Sequence, residues 1–174
     1  MAKMVNFGVV YGMGYFGLSS RLGISMDEAA RYIDTYFETY RGVREYRDRC
    51  IVEAAGLGYA ETLFGRRRFI PELASNNRQT REQGERLAIN TPLQGTAADI
   101  IKKAMVDVAG AIAGAGMKSR LTLQIHDELM LESPPDELER LTDVVRASMM
   151  GAADLQVPLK VDIGAFDNWG EAKQ

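Results

Sequence analysis

One cysteine, one histidine and one tryptophan stand in a chain of 174 residues. A lone Cys50 cannot form an internal disulfide, and such usage suits a reducing compartment. With His126 as the sole histidine, a multi-histidine zinc site is excluded. No stretch approaches the ~20 apolar residues that a membrane span needs. No charged segment leads into an apolar run at the N-terminus, as a secretory signal requires. Repeats, low-complexity tracts and long linkers are missing too. What remains is 46% hydrophobic and 26% charged, an ordinary globular balance with room for one domain or two small subdomains sharing a core. The expectation is a soluble cytoplasmic protein.

Nor is there a surplus of positive charge. The net charge is -3, from 21 Lys/Arg against 24 Asp/Glu, which is unpromising for a free-standing nucleic-acid binder. The distribution is uneven. Residues 1–90 carry 13 basic and 11 acidic side chains, net +2, and residues 91–174 carry 8 and 13, net -5.

Residues 3–12 are compatible with helix or strand, since Gly8 and Gly12 weaken both. A short amphipathic segment covers Tyr15 to Leu22 and stops at Gly23. Ser25 and Glu28 form a capping box. The helix it opens has Ala29, Tyr32, Ile33, Tyr36 and Phe37 at helical spacing and is expected to end near Arg41-Gly42. Another helix is predicted from Val43 to Ala55. Tyr59 to Phe69 reads as a hairpin turning at Phe64-Gly65-Arg66. Residues 76–90 read as a helix interrupted by Pro92 and Gly95, resuming from Thr96 to about Ala113. Strands follow at Arg120–Ile125 and Leu129–Glu132, then a helix from Ser133-Pro134 to about Ala152, and a last strand at Pro158–Ile163. The order predicts an α+β fold.

Three sets of residues could carry chemistry. Asp127 and Glu128 lie between two apolar strands, where a tight turn favours Asn-Gly or Asp-Gly. Adjacent carboxylates repel, and a cation such as Mg²⁺, which takes carboxylate oxygens, removes the conflict; without one, they read as a solvated acidic turn. Lys3, Phe7 and Tyr11 recur every four residues, one stripe of a helix that could meet phosphate, sugar and base in turn. The same spacing also suits two core aromatics with a solvated lysine. Arg86, Asn90 and Gln94 repeat the interval, as donors that could follow a minor groove or as a solvated face. The run Arg66–Arg68 could contact phosphate or be a basic turn.

Taken in order, these segments resemble one family. The run KMVNFGVVYG from Lys3 to Gly12 is similar to the fingers-helix motif of family A DNA polymerases, the bacterial DNA polymerase I type. TLFGRRR from Thr62 to Arg68 followed by Pro71, and ERLAINTPLQGTAAD from Glu85 to Asp99, match the family in sequence order. QIHDEL from Gln124 to Leu129 resembles its palm carboxylate motif, and Val157-Pro158 with Val161, Gly164 and Trp169 its terminal strand and tail. The resemblance covers the whole chain.

It implies a mostly helical fingers piece over residues 1–75, incomplete at its N-terminus, followed by the C-terminal part of a palm over residues 76–174 with a partial antiparallel sheet and helices. The implied activity is template-directed nucleotidyl transfer in DNA replication and repair, on the nucleoid. Lys3 would bind the triphosphate of a deoxynucleoside triphosphate, Phe7 would pack against its sugar and base, and Tyr11 would stand at the template side. Phe7 resembles members that disfavour dideoxynucleotides. Arg86, Asn90 and Gln94 would lie near the minor groove of primer-template DNA, with His126 near the primer terminus. Asp127 would hold catalytic Mg²⁺ in a two-metal site, with Glu128 in support.

The sequence departs from the family where a second metal-binding aspartate, in a motif Asp-x-Ser-x-x-Glu-Leu-Arg upstream of the fingers helix, has no match. A metal pair held by one principal aspartate is weak. The expectation is therefore that the chain alone does not polymerise DNA and needs an N-terminal palm and thumb portion as partner. The competing expectation is a non-catalytic DNA-binding or interaction module that keeps the fold.

Overall fold

The computed structural model describes residues 2–171, with side chains from residue 5 onward. The chain divides into two compact units, with the division at Thr96 and Ala97. The first opens with three helices, α1 (Ala2–Val10), α2 (Tyr15–Leu22) and α3 (Met26–Thr39). Gly23 ends α2 at φ 67, donating its N–H to the Ser19 carbonyl, a conformation that a residue without Cβ adopts at little cost. Ser25 caps α3 by accepting the Glu28 N–H at 3.2 Å. Val9, Leu18, Ala29, Ile33 and Phe37 form the core shared by these helices. Each large apolar side chain so buried contributes roughly 1.5–3 kcal/mol. The helix expected to reach Arg41-Gly42 stops at Thr39; Tyr40 stands between it and α4 (Arg41–Leu57).

The expected hairpin follows, β1 (Tyr59–Glu61) paired antiparallel with β2 (Arg67–Phe69). Ala54 of α4, Ala60 of β1, Ile70 and Ala88 make a second core.

α5 runs from Arg78 to Gly114 without a break, 37 residues with Pro92 inside. This corrects the reading that Pro92 and Gly95 interrupt the helix. Proline lacks an N–H for the Ala88 carbonyl, at a cost of ~3 kcal/mol in a free helix. That local penalty is outweighed by burial on both sides of it, for Ala88, Ile89, Ala104 and Val108 are all buried.

In the second unit, β3 (Arg120–Ile125) pairs antiparallel with β4 (Glu128–Glu132), with an irregularity between Leu121 and Leu123. A 3-10 turn at Pro135–Glu137 leads into α6 (Leu138–Met150). Val108 and Ile112 pack with Leu141 and Val145, and Leu129, Leu131 and Ile163 lie against them. The strand expected at Pro158–Ile163 is not formed; the segment is irregular. Its β-branched residues are anchored instead by packing of Ile163 on that core and by the Arg146 guanidinium donating to the Val161 carbonyl at 3.1 Å. The fold is α+β, helical with two small antiparallel sheets.

Candidate functional site

The ambiguous segment 3–12 is helical as far as Val10. Helical spacing puts Phe7 and Tyr11 one above the other, and their rings stack with centroids 6.3 Å apart and planes 13° apart. Phe7 is 47% exposed, so it is not a core residue. The Lys3 side chain lies outside the described residues. Gly12 turns the chain out of α1 at φ 86, and the Met13 N–H donates back to the Gly8 carbonyl at 2.8 Å.

A Cβ on Gly12 would stand 3.1 Å from Cγ of Arg86, so the stem of Arg86 crosses the end of α1 at its narrowest point. The result is a groove of about 1020 Å³ whose walls include Phe7, Tyr11, Met13, Phe16, Arg21 and Arg86. Glu82 also lines it and is paired with Arg78 at 2.8 Å. Two guanidinium groups against one already engaged carboxylate leave the groove suited to an anion beside flat aromatic surfaces. Arg21, Met13 and Phe16 were not singled out from the sequence; Gly8 and Gly17, which close on Met13, and Gly12, which closes on Arg86, are the sign of close approach that it offers.

Further along α5, Gln94 is exposed and Asn90 is partly buried. The side-chain oxygen of Asn90 is buried without a hydrogen-bond partner among the described residues. The three arginines of the β1–β2 hairpin have separate fates. Arg66 donates to the Gly95 carbonyl at 3.0 Å. Arg67 pairs with Glu61 at 2.7 Å and lies over the Tyr59 ring. Arg68 is exposed.

In the second unit the turn between β3 and β4 is His126-Asp127, with Ile125 opposite Glu128, one residue earlier than Asp127-Glu128. His126 has φ 53, the positive angle that a tight hairpin requires at its first position. The Gln124 side-chain amide donates to the His126 carbonyl and closes the turn. His126, Asp127 and Glu128 are all exposed. Neither carboxylate has an ion-pair partner among the described residues, and among these no group of three or more His, Cys, Asp or Glu forms a ready metal cage. Hard-cation sites built with phosphate need only one or two protein carboxylates. Asp127 and Glu128 fit that limited role.

The family model for DNA polymerase family A matches residues 1–171. DNA polymerase I of Bacillus subtilis (strain 168) is 50% identical over 172 residues, covering 99% of this chain and 20% of that protein. DNA polymerase I of Pseudomonas aeruginosa is 49% identical over 171 residues, 98% of this chain and 19% of that one. Among solved structures, the POL domain of Pol1 from M. smegmatis, in complex with DNA primer-template and dNTP, superposes with a TM-score of 0.96 at 45% identity. It covers 99% of this chain and 30% of that one. The chain thus spans about a fifth of the length of the curated relatives it matches.

Proposed function

Because this chain belongs to DNA polymerase family A, we propose that it carries the nucleotide-facing and part of the metal-binding machinery of a DNA-directed DNA polymerase. The observation that carries this reading is the groove in which the stacked Phe7 and Tyr11 face an arginine held over Gly12. In this reading Lys3 meets the triphosphate of the incoming deoxynucleotide as a compact charge. Phe7 packs on its sugar and base, and Tyr11 closes the template side. Arg86, Asn90 and Gln94 donate to minor-groove acceptors, which occupy equivalent positions in every Watson–Crick pair. His126 stands near the primer terminus. Residues 1–75 act as fingers and 76–174 as the last part of the palm.

Asp127 holds a divalent ion, Mg²⁺ in the first instance, with Glu128 in support. Such an ion, when bound, activates the primer 3′-hydroxyl and neutralises charge on the departing pyrophosphate. The chain's own share is positioning: the aromatic pair excludes water from the base, and the guanidinium groups fix phosphate and duplex. Polymerase activity belongs, in this reading, to a protein that also contains an N-terminal palm and thumb portion.

Primer extension tests it. The chain is assayed with primed DNA, Mg²⁺ and four deoxynucleotides, alone and mixed with a separately made N-terminal polymerase piece shown to associate with it. Extension by the mixture is expected, lost on Asp127→Ala and reduced on Tyr11→Ala, where a stacking contact is worth ~1–3 kcal/mol. No extension from the associated pieces would favour a non-catalytic module.

A further inference from the structure

The weakest turn of α5 is the one that carries Gln94. Pro92 leaves the Ala88 carbonyl without its helical donor, and Gly95 follows within one turn, the residue least able to stiffen a helix. A helix with side chains is about 10–12 Å across, so a 20° rotation at this turn would swing a side-chain tip by roughly 2 Å. That is more than a hydrogen bond tolerates.

The β1–β2 hairpin tip bears on this turn. The Leu63 N–H donates to Thr96 Oγ1 at 3.0 Å, and Arg66 Nη2 to the Gly95 carbonyl at 3.0 Å. A Cβ on Gly95 would lie 2.5 Å from Cγ2 of Thr62, so the glycine is the gap into which the hairpin fits. The tip is itself closed: Thr62 accepts the Arg66 N–H on its hydroxyl at 3.2 Å and donates its own N–H to the Arg66 carbonyl at 3.0 Å. Thr62 and Thr96 are both buried, so the bonds to their hydroxyls are partly shielded from competing water, while that from Arg66 to Gly95 is exposed.

We propose that the hairpin tip is a positioning device: Arg66, and Thr96 through the Leu63 amide, fix the rotation of the α5 turn that follows Pro92, and so set how Gln94 grips a base-paired duplex. Thr62, Arg66 and Thr96 are positioning residues that act through Gln94. This rests on the reading that Arg86, Asn90 and Gln94 face the minor groove. A mispair displaces minor-groove acceptors from their common positions, so a stripe held at one rotation rejects it and a loosened stripe accommodates it.

The test uses polymerase-competent protein containing the whole of this chain. Dissociation constants are measured for matched and mismatched primer-template duplexes, with the deoxynucleotide KM and the melting temperature alongside. Thr96→Val removes the acceptor at nearly constant shape, and Arg66→Met removes the donor. Each is expected to weaken matched duplex binding roughly five-fold, the value of one hydrogen bond. Each should also narrow the matched-to-mismatched ratio and leave the deoxynucleotide KM unchanged. Thr96→Ser, which keeps the hydroxyl, should restore both. In a Gln94→Ala background Thr96→Val should add no further loss, because the side chain it positions is gone.

Parental duplex affinity in both Thr96→Val and Arg66→Met, or losses that add to that of Gln94→Ala, would overturn the proposal. If Thr96→Val fails to fold, Arg66→Met at its exposed position carries the same comparison. If Gln94→Ala and Arg86→Ala leave duplex affinity unchanged, the minor-groove reading fails and takes the proposal with it, an outcome recognisable because it appears in those two variants first.

Discussion

Gly12 carries two constraints at once. Its φ of 86 costs a residue with Cβ roughly 1–2 kcal/mol, and the added carbon would meet Cγ of Arg86 at 3.1 Å. Gly12→Ala is therefore expected to lower unfolding free energy by about 1–2 kcal/mol and to displace Arg86 from the groove. Denaturant titration reads the first effect and primer-template binding the second. Stability loss with unchanged binding would show that the Arg86 position does not depend on Gly12. The two parts of this site differ in how visible they are in sequence. Phe7 and Tyr11 are four apart on one helix, so their stacking follows from helical periodicity alone. The approach of Arg86 to Gly12 joins residues 74 positions apart, and periodicity carries no information about such a meeting. The turn falls one residue earlier than the Asp127-Glu128 pair suggests, because His126 takes the positive φ, a conformation that a residue with Cβ adopts only in a minority of cases and that no local pattern marks.

At the scale of elements, local signals held where the end of a helix is a local matter. Ser25 and Gly23 mark their boundaries because capping and left-handed closure involve only neighbours in sequence. Pro92 and Pro158–Ile163 failed for the opposite reason. Tertiary burial of Ala88 and Ile89 carries α5 through its proline, and a β-prone segment needs a partner strand that no local pattern supplies. The cap of α3 is only half of a capping box among the described residues: Ser25 Oγ accepts the Glu28 N–H, while Glu28 makes no return bond to the Ser25 amide. Ser25→Ala should cost about 1 kcal/mol, and Glu28→Ala under about 0.5 kcal/mol, as at an ordinary surface position. Equilibrium unfolding of both variants checks this; equal losses would mean that the reciprocal bond forms in solution.

For the molecule as a whole, charge is distributed unequally along the chain. The half that carries the groove is net positive, and the half that carries Asp127 and Glu128 is net negative. Within the second unit one carboxylate ties two segments. Glu137 accepts the Lys118 N–H at 2.8 Å, and the N–H and hydroxyl of Ser119 at 2.9 and 2.6 Å. These bonds, that from the Lys118 amide foremost, hold its pKa below the ordinary glutamate range. A depressed folded-state pKa contributes stability that is complete above the unfolded value and disappears as pH falls through the folded one. The window therefore lies below roughly pH 4.3. The only tryptophan, Trp169, lies in this unit and supplies a selective probe. Urea unfolding followed by Trp169 fluorescence should give a midpoint that falls between pH 6 and roughly pH 3.5. Glu137→Gln should lower the midpoint at pH 6, and its gap from the parent should narrow as pH falls below roughly 4.3, because protonation progressively removes the same charge. Curves for parent and variant that stay parallel across this range would mean that the Glu137 cluster does not couple folding to protons, and that the acid sensitivity of the unit comes from its other carboxylates.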